Sequence, residues 1–183
     1  MNKIIFIFIF FFLFQNNLSA SNKAKIINKF DNTKNLSFNF IQTINDKNEK
    51  GKCTIQYPKK IYCEYEKKNK KILVSNGKSL VIKNSKQYYR YPLKSTPFAL
   101  LLDKKFLINK MNSSNLNETE SNYFFFQISE NNNNINIFFS KKNFELVGWQ
   151  VEDIYQNLAV TYIFDTVINA QIDEKLFKLP KQN

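Results

Sequence analysis

The side chains that usually carry covalent or acid–base chemistry are sparse in this sequence. Of its 183 residues none is His, which removes the commonest general base and the commonest zinc ligand. Its 15 Asp and Glu do not fall at the spacing of a known acid–base or nucleophile motif, and no G-x-S-x-G turn exists. Asp153 and Asp165 flank one strand pair with no evident partner. Two cysteines, Cys53 and Cys63, do not make a metal site without further ligands; in an oxidising compartment they could form a disulfide. The expectation is a protein that is not an enzyme, with no catalytic residue, no metal and no cofactor. Large apolar groups are plentiful instead: aromatics are 16% of the chain, a figure that an apolar N-terminal run inflates. Their chemistry is non-covalent, the removal of apolar surface from water.

Those groups must be positioned by strands and a few helices. Ser21–Lys34 reads as a helix, with Ala24, Ile26, Ile27 and Phe30 as a short apolar stripe. Leu36–Phe40, Gly51–Tyr57 and Ile61–Tyr65 alternate apolar and polar, which is strand periodicity, with a turn at Pro58–Lys60. Lys71–Ser75 leads into Asn76-Gly77, a pair suited to the positive φ angles of a tight hairpin, and Ser79–Lys83 and Gln87–Tyr91 follow as short strands. Thr96-Pro97 reads as a helix start, Thr as cap and Pro in the first turn, ahead of the apolar Phe98–Leu102. Asn109–Asn122 is polar and reads as a loop. Strands resume at Tyr123–Ser129, Ile135–Ser140, Phe144–Asp153 and Asn157–Asp165, with Asn131–Asn134 as a hairpin loop. Asp173–Phe177 is a terminal turn closed by Leu179-Pro180. A mainly β chain of this kind suits one curved antiparallel sheet folded around its apolar face, with helices over the open side.

The N-terminus carries an export signal. Met1-Asn2-Lys3 precedes an unbroken apolar run from Ile4 to Phe14, about 16 Å long as a helix and too short to cross a bilayer. Leu18-Ser19-Ala20 completes the pattern. Residues 1–20 are therefore expected to be a cleaved signal peptide, and residues 21–183 one domain outside the cytoplasm. No Cys follows the cut, so no lipid anchor is expected. Lys and Arg number 27 against 15 acids, and all but Arg90 are Lys. A scattered, Arg-poor charge on an exported chain reads as a solubilising surface rather than a nucleic-acid site; docking on anionic headgroups or an acidic partner is left open.

Phe38, Phe40, Ile55, Tyr57, Ile61, Tyr65, Val74, Leu80, Phe98 and Leu101 are the candidates for an apolar binding face. An ordinary core explains any one of them. As a set, under an unclosed sheet with only short helices to cover it, they suit a hollow.

These residues resemble a known family, the periplasmic outer-membrane lipoprotein carriers called LolA. Phe38-x-Phe40-x-Gln42, then Gly51, then a hairpin centred on Pro58 is similar to the family's opening strands. Ile72–Leu80 is similar to its next hairpin, Thr96-Pro97-Phe98-Ala99-Leu100-Leu101 to the Thr-Pro-Phe segment of its helical lid, and Leu146-Val147-Gly148-Trp149 through Leu179-Pro180 to its closing stretch. The resemblance implies an unclosed antiparallel β-barrel of the LolA/LolB type, covered by short helices around an apolar cavity. It implies a monomeric carrier that takes lipoprotein acyl chains from an inner-membrane releasing transporter of the LolCDE type to an acceptor of the LolB type. The absent lipobox Cys favours carrier over acceptor.

One position departs from the family: where an Arg usually precedes the hairpin Pro, this chain has Tyr57. A phenol cannot supply a guanidinium fork, so lid closure needs other bonds, with Lys59 or Lys60 as substitutes. Cys53 and Cys63 lie on this hairpin. With a three-residue turn at Pro58–Lys60, Ile55 faces Cys63 and Cys53 faces Tyr65, leaving the cysteines diagonal and far apart for a bridge. A disulfide in another register and two small buried thiols are both open readings. A binding protein for another lipid or apolar ligand is the nearest rival function. A small outer-membrane barrel is disfavoured by lysines on both faces of several strands.

Overall fold

The computed structural model describes residues 21–66, 70–130, 133–152 and 157–182. The expected signal peptide, Asp153 and the first half of the expected Asn131–Asn134 loop lie outside the described residues.

Helix α1 (Asn22–Asp31) starts where the Ser21 hydroxyl accepts a hydrogen bond from the Ala24 N–H at 3.2 Å, the usual service of an N-cap serine. Ile26 and Phe30, one turn apart, are its buried residues. The helix ends before the predicted Lys34: Thr33 turns its hydroxyl back to the Lys29 carbonyl at 3.0 Å, and the chain leaves as strand. Six strands follow: β1 (Asn35–Ile44), β2 (Lys47–Gln56), β3 (Lys60–Tyr65), β4 (Ile72–Asn76), β5 (Ser79–Lys83) and β6 (Tyr88–Pro92). Helices α2 (Phe98–Leu101) and α3 (Lys104–Ser113) come next, then β7 (Asn117–Glu118), β8 (Tyr123–Glu130), β9 (Asn133–Ser140), β10 (Leu146–Glu152) and β11 (Leu158–Ile168).

All eleven strands form one sheet in the order β6-β5-β4-β3-β2-β1-β11-β10-β9-β8-β7, every neighbouring pair antiparallel. The sheet is not closed; β6 and β7 are its edges. The chain meanders from the middle of the sheet to one edge, and returns from the other edge to set β11 beside β1. The segment joining the two edges must therefore span the open side, and that segment contains α2 and α3. These two helices, with α1 packed against α3, form the lid.

Side chains on one face of each strand are buried, as period-2 alternation requires: Leu36, Phe38 and Phe40 on β1, Phe124, Phe126 and Ile128 on β8, and Ile135, Ile137 and Phe139 on β9. On β11, Ala159, Thr161 and Ile163 are buried while Leu158, Val160 and Tyr162 are exposed. Gly51 is required where it stands, because a Cβ there would lie 2.1 Å from the Glu64 carbonyl oxygen on β3.

Several expectations are corrected. The polar stretch 109–122 is not one loop: α3 runs through Ser113 because Asp103 caps it, accepting from the Phe106 N–H at 3.1 Å, and because Leu107 and Met111 bury one face. The Thr96 hydroxyl does not cap α2; it donates to the Leu93 carbonyl at 2.8 Å and closes the 3-10 turn Leu93–Ser95. Strand β2 starts at Lys47, four residues ahead of the predicted Gly51. Asn45 and Asp46 take φ of 47° and 59°, the pair of positive values that a two-residue hairpin turn needs. Asn133 and Asn134 are strand residues, paired with Glu130 and Ser129.

Candidate functional site

The inner face of the sheet and the underside of the lid meet in one contiguous apolar cluster. From the sheet it takes Phe38, Phe40, Ile55, Ile61, Leu80, Phe126, Ile137, Phe139 and Trp149, and from the lid Ile26, Phe30, Leu101, Leu107 and Met111. Edge-to-face aromatic contacts tie the parts together. Phe30 of the lid meets Tyr57 at 5.7 Å and Phe139 at 5.9 Å, and across the sheet Phe38 meets Trp149 at 5.9 Å.

Of the ten sequence candidates, nine belong to this inner region. Phe38, Phe40, Ile55, Ile61, Leu80 and Leu101 are buried within it, and Tyr57, Tyr65 and Phe98 are partly buried against it. Val74 is the correction. Its neighbour Leu73 belongs to the inner cluster and Val74 does not, because successive strand residues point to opposite faces. Val74, its partner Val81 on β5 and Phe177 are buried outside the inner cluster, where the C-terminal 3-10 turn packs on β3 and β4. That turn is fastened by Glu174, which accepts from Gln56 Nε2 at 2.5 Å and Lys60 Nζ at 2.6 Å. Both bonds hold the Glu174 carboxyl below its ordinary range.

The lid side chains Phe30, Leu101, Leu107 and Met111 are buried against the inner face of the sheet, and a small hollow of about 10 Å³ lies at the rim, room for about one water. It lies between α1 and the β9–β10 turn, lined among others by Phe30, Leu36, Phe139 and Phe144; none of the ten candidates borders it. Sequence reading also missed the second half of the inner face and the contribution of α1 and α3. The alternation at Tyr123–Ser129 and Ile135–Ser140 carried the signal for Phe126, Ile137 and Phe139. The spacing of Leu107 and Met111 carried it for α3.

The hairpin between β2 and β3 touches the lid. Its turn is centred on Pro58, not Lys59, so Ile55 pairs with Ile61 and Cys53 with Cys63. The two cysteines are therefore directly opposed and joined by a disulfide, S–S 2.00 Å. The Tyr57–Pro58 peptide is cis, and Lys59 has φ of 68°. The Lys59 N–H donates to the Leu102 carbonyl at 3.0 Å, and its ammonium lies 3.2 Å from Asp103, the cap of α3. Tyr57 lies beneath; burial pushes its phenol well above the ordinary tyrosine value. The ammonium of Lys104 sits 5.9 Å from the centre of that ring, within cation–π range.

The two long lid helices also brace each other. Lys23, near the start of α1, donates to the carbonyls of Asn112 at 2.8 Å and Ser114 at 2.7 Å, at the end of α3. Lys104, the first residue of α3, donates to the carbonyls of Asp31 at 2.5 Å and Thr33 at 3.1 Å, at the end of α1. The helices thus run antiparallel and each supplies a cation to the other's C-terminus, where the last carbonyls lack partners and the dipole favours positive charge.

Away from the Pro58 turn the inner face turns polar. Lys71 pairs with Glu49 at 2.6 Å and lies 4.0 Å from the centre of the Tyr65 ring, which in turn meets Phe40 edge-on at 5.1 Å. Burial first, then the Glu49 charge, raise the Tyr65 phenol well above its ordinary value. Tyr65 and Tyr57 are therefore protonated at neutral pH and act as apolar rings with a donor at one end. Among the described residues no group of three His, Cys, Asp or Glu gathers to hold a metal.

A family model described as outer membrane lipoprotein carrier protein LolA matches residues 31–180. No curated protein matches the sequence. Among solved structures, an uncharacterized conserved protein from Thermus thermophilus is similar at 8% identity and a TM-score of 0.50, over 87% of this chain and 93% of that one. MucB is similar at 7% identity and a TM-score of 0.50, over 88% of this chain; the chain spans 62% of MucB's length. A LolA superfamily protein from Nitrosomonas europaea is similar at 10% identity and a TM-score of 0.43, over 87% of this chain and 99% of that one.

Proposed function

The chain belongs to the LolA family, and from that membership we propose that it is a periplasmic carrier. It takes up the acyl chains of lipoproteins released from the inner membrane by a LolCDE-like transporter and hands them to an outer-membrane acceptor, LolB-like where one exists. The observation that carries this reading is the single apolar interior shared between an unclosed sheet and a braced pair of lid helices. An acyl chain of ordinary length represents roughly 10 kcal/mol of apolar exposure, at about 0.8 kcal/mol per CH₂. A protein interior can offset that cost only by exchanging its own apolar contacts for the ligand's. Phe38, Phe40, Ile55, Ile61, Leu80 and Leu101, with Tyr57, Tyr65 and Phe98 at their margin, would line the space that opens.

In this scheme the lid's side chains exchange with the acyl chain, and loading is a shift from the closed to an open population set by the ligand's preference for the open one. With Tyr57 at the family's usual Arg position, closure falls to Lys59, through its N–H on Leu102 and its ammonium on Asp103. Nothing in this scheme needs a cofactor, nucleic acid or a second copy. The rival reading, a carrier of another lipid, uses the same interior.

Depletion of the protein in its host tests the proposal. Lipoproteins bound for the outer membrane are expected to accumulate at the inner membrane. Their normal arrival at the outer membrane would refute the carrier role.

A further inference from the structure

The lid is unusually basic. Helices α1 and α3 carry six lysines and one carboxylate, Asp31. Lys23 and Lys104 are occupied within the lid by the reciprocal carbonyl bonds described above. The other four divide by environment. Lys25 and Lys105 are exposed; Lys25 rests 5.5 Å from the centre of the Phe144 ring. Lys29 and Lys110 fasten the lid to the sheet. Lys29 pairs with Glu145 at 2.8 Å and donates to the Asn143 carbonyl at 3.1 Å, both beside β10, and Lys110 pairs with Glu130 on β8 at 2.6 Å. In each pair both side chains remain about a third exposed, 41% and 28% in one and 36% and 31% in the other.

We propose that this lid surface docks on an anionic bilayer, and that headgroup phosphates draw Lys29 and Lys110 away from Glu145 and Glu130 and so free the lid. The proposal rests on reading α1 and α3 as a lid over an acyl-chain site. Exposed lysine–carboxylate pairs are weak and salt-sensitive, and a lysine near an anionic leaflet gains a comparable amount. Headgroups can therefore take over these two lysines at little net cost. The distribution selects a bilayer over a folded acidic partner. The charges are single ammonium groups spread over two helices, not a guanidinium cluster arranged for bidentate recognition. A laterally mobile array of phosphates can match such a spread. Opening would then be confined to the membrane surface, where the acyl chain enters or leaves, and the interior would stay closed in transit.

The test is vesicle flotation together with uptake of an apolar fluorescent dye, on the full exported chain. Vesicles of phosphatidylglycerol mixed with phosphatidylcholine are compared with vesicles of phosphatidylcholine alone. The expected result is binding to the anionic vesicles only, weakened by salt, with faster dye uptake in their presence. Lys25→Glu with Lys105→Glu should lower the partition coefficient at least about tenfold, since each lysine near the surface contributes measurably. Lys25→Gln with Lys105→Gln should fall between. Both pairs are exposed, so the thermal midpoint should not move. Glu130→Gln with Glu145→Gln should take up dye quickly without vesicles. Binding that ignores lipid charge, or dye uptake that anionic vesicles do not alter, overturns the docking proposal alone. Absence of dye uptake by every variant under every condition overturns the lid reading as well.

Discussion

Phe30→Ala should cost the protein about 3–5 kcal/mol of stability, the range for truncating a buried phenylalanine. Phe30 is 4% exposed and is the lid residue whose ring meets both Tyr57 and Phe139 edge-on. Each such pair contributes about 0.5–1.5 kcal/mol beyond area burial. The residue also borders the small hollow beside the β9–β10 turn, so the vacated volume would join a space that already exists. Denaturant unfolding should show the loss, and the same variant should bind a small apolar dye more strongly than the parent, because a pre-formed void removes part of the cost of opening. Phe30→Leu, which keeps most of the volume, should lie much nearer the parent in both measurements. A loss below about 1 kcal/mol for Phe30→Ala would show that α1 does not hold the lid down.

Removal of the Cys53–Cys63 bridge is expected to have the next largest effect. The bridge closes a loop of ten-residue sequence separation, for which the chain-entropy account gives about 3 kcal/mol. A domain of this size loses about 2–4 °C of melting temperature per kcal/mol. The double variant Cys53→Ala, Cys63→Ala should therefore melt about 6–12 °C below the oxidised parent. The bridge also pins the register of the hairpin that carries Tyr57, Pro58 and Lys59. A slip there would move the Lys59 N–H away from Leu102 and turn Ile55 and Ile61 off the inner face, since a one-residue slip reverses every side chain. Stability and lid closure should thus fall together in the double variant, read as melting temperature and as faster dye uptake. Unchanged values of both would mean that the strands alone fix the hairpin.

Much of this architecture was legible in the sequence because burial on one side of a sheet imprints period 2 directly. Leu36, Phe38 and Phe40, or Ile61 and Cys63, announce a strand and its inner face without any partner being known. Features set by distant contacts were not legible. Lys23 and Lys104 read as two solvated lysines, yet each ends on carbonyls some 70–90 positions away, with separations of 89, 91, 73 and 71 residues. Val74 reads as inner because it sits in a fully apolar triplet, Ile72-Leu73-Val74. Only the covering C-terminal turn, with Phe177, shows why an outward valine is buried. The hairpin register failed for a local reason: moving the turn's centre from Lys59 to Pro58 moves each partner by two and brings the cysteines from diagonal to opposed. Helix α3 was hidden by composition, since its outer residues, Asn109 and Asn112 among them, are those of a loop, and only its cap and its two buried residues distinguish it.

Nine of the ten candidate residues fall in or against one apolar interior shared by sheet and lid, and on the proposed carrier reading activity resides in how readily that lid exchanges with a ligand. The most direct measurement is a titration of the exported protein with a synthetic triacylated lipopeptide, against the same peptide without its acyl chains and against a diacyl phospholipid. The account predicts saturable one-to-one binding of the acylated peptide, none of the bare peptide, and displacement by phospholipid only at large excess. Equal binding of the phospholipid, or no binding of the lipopeptide, would contradict it.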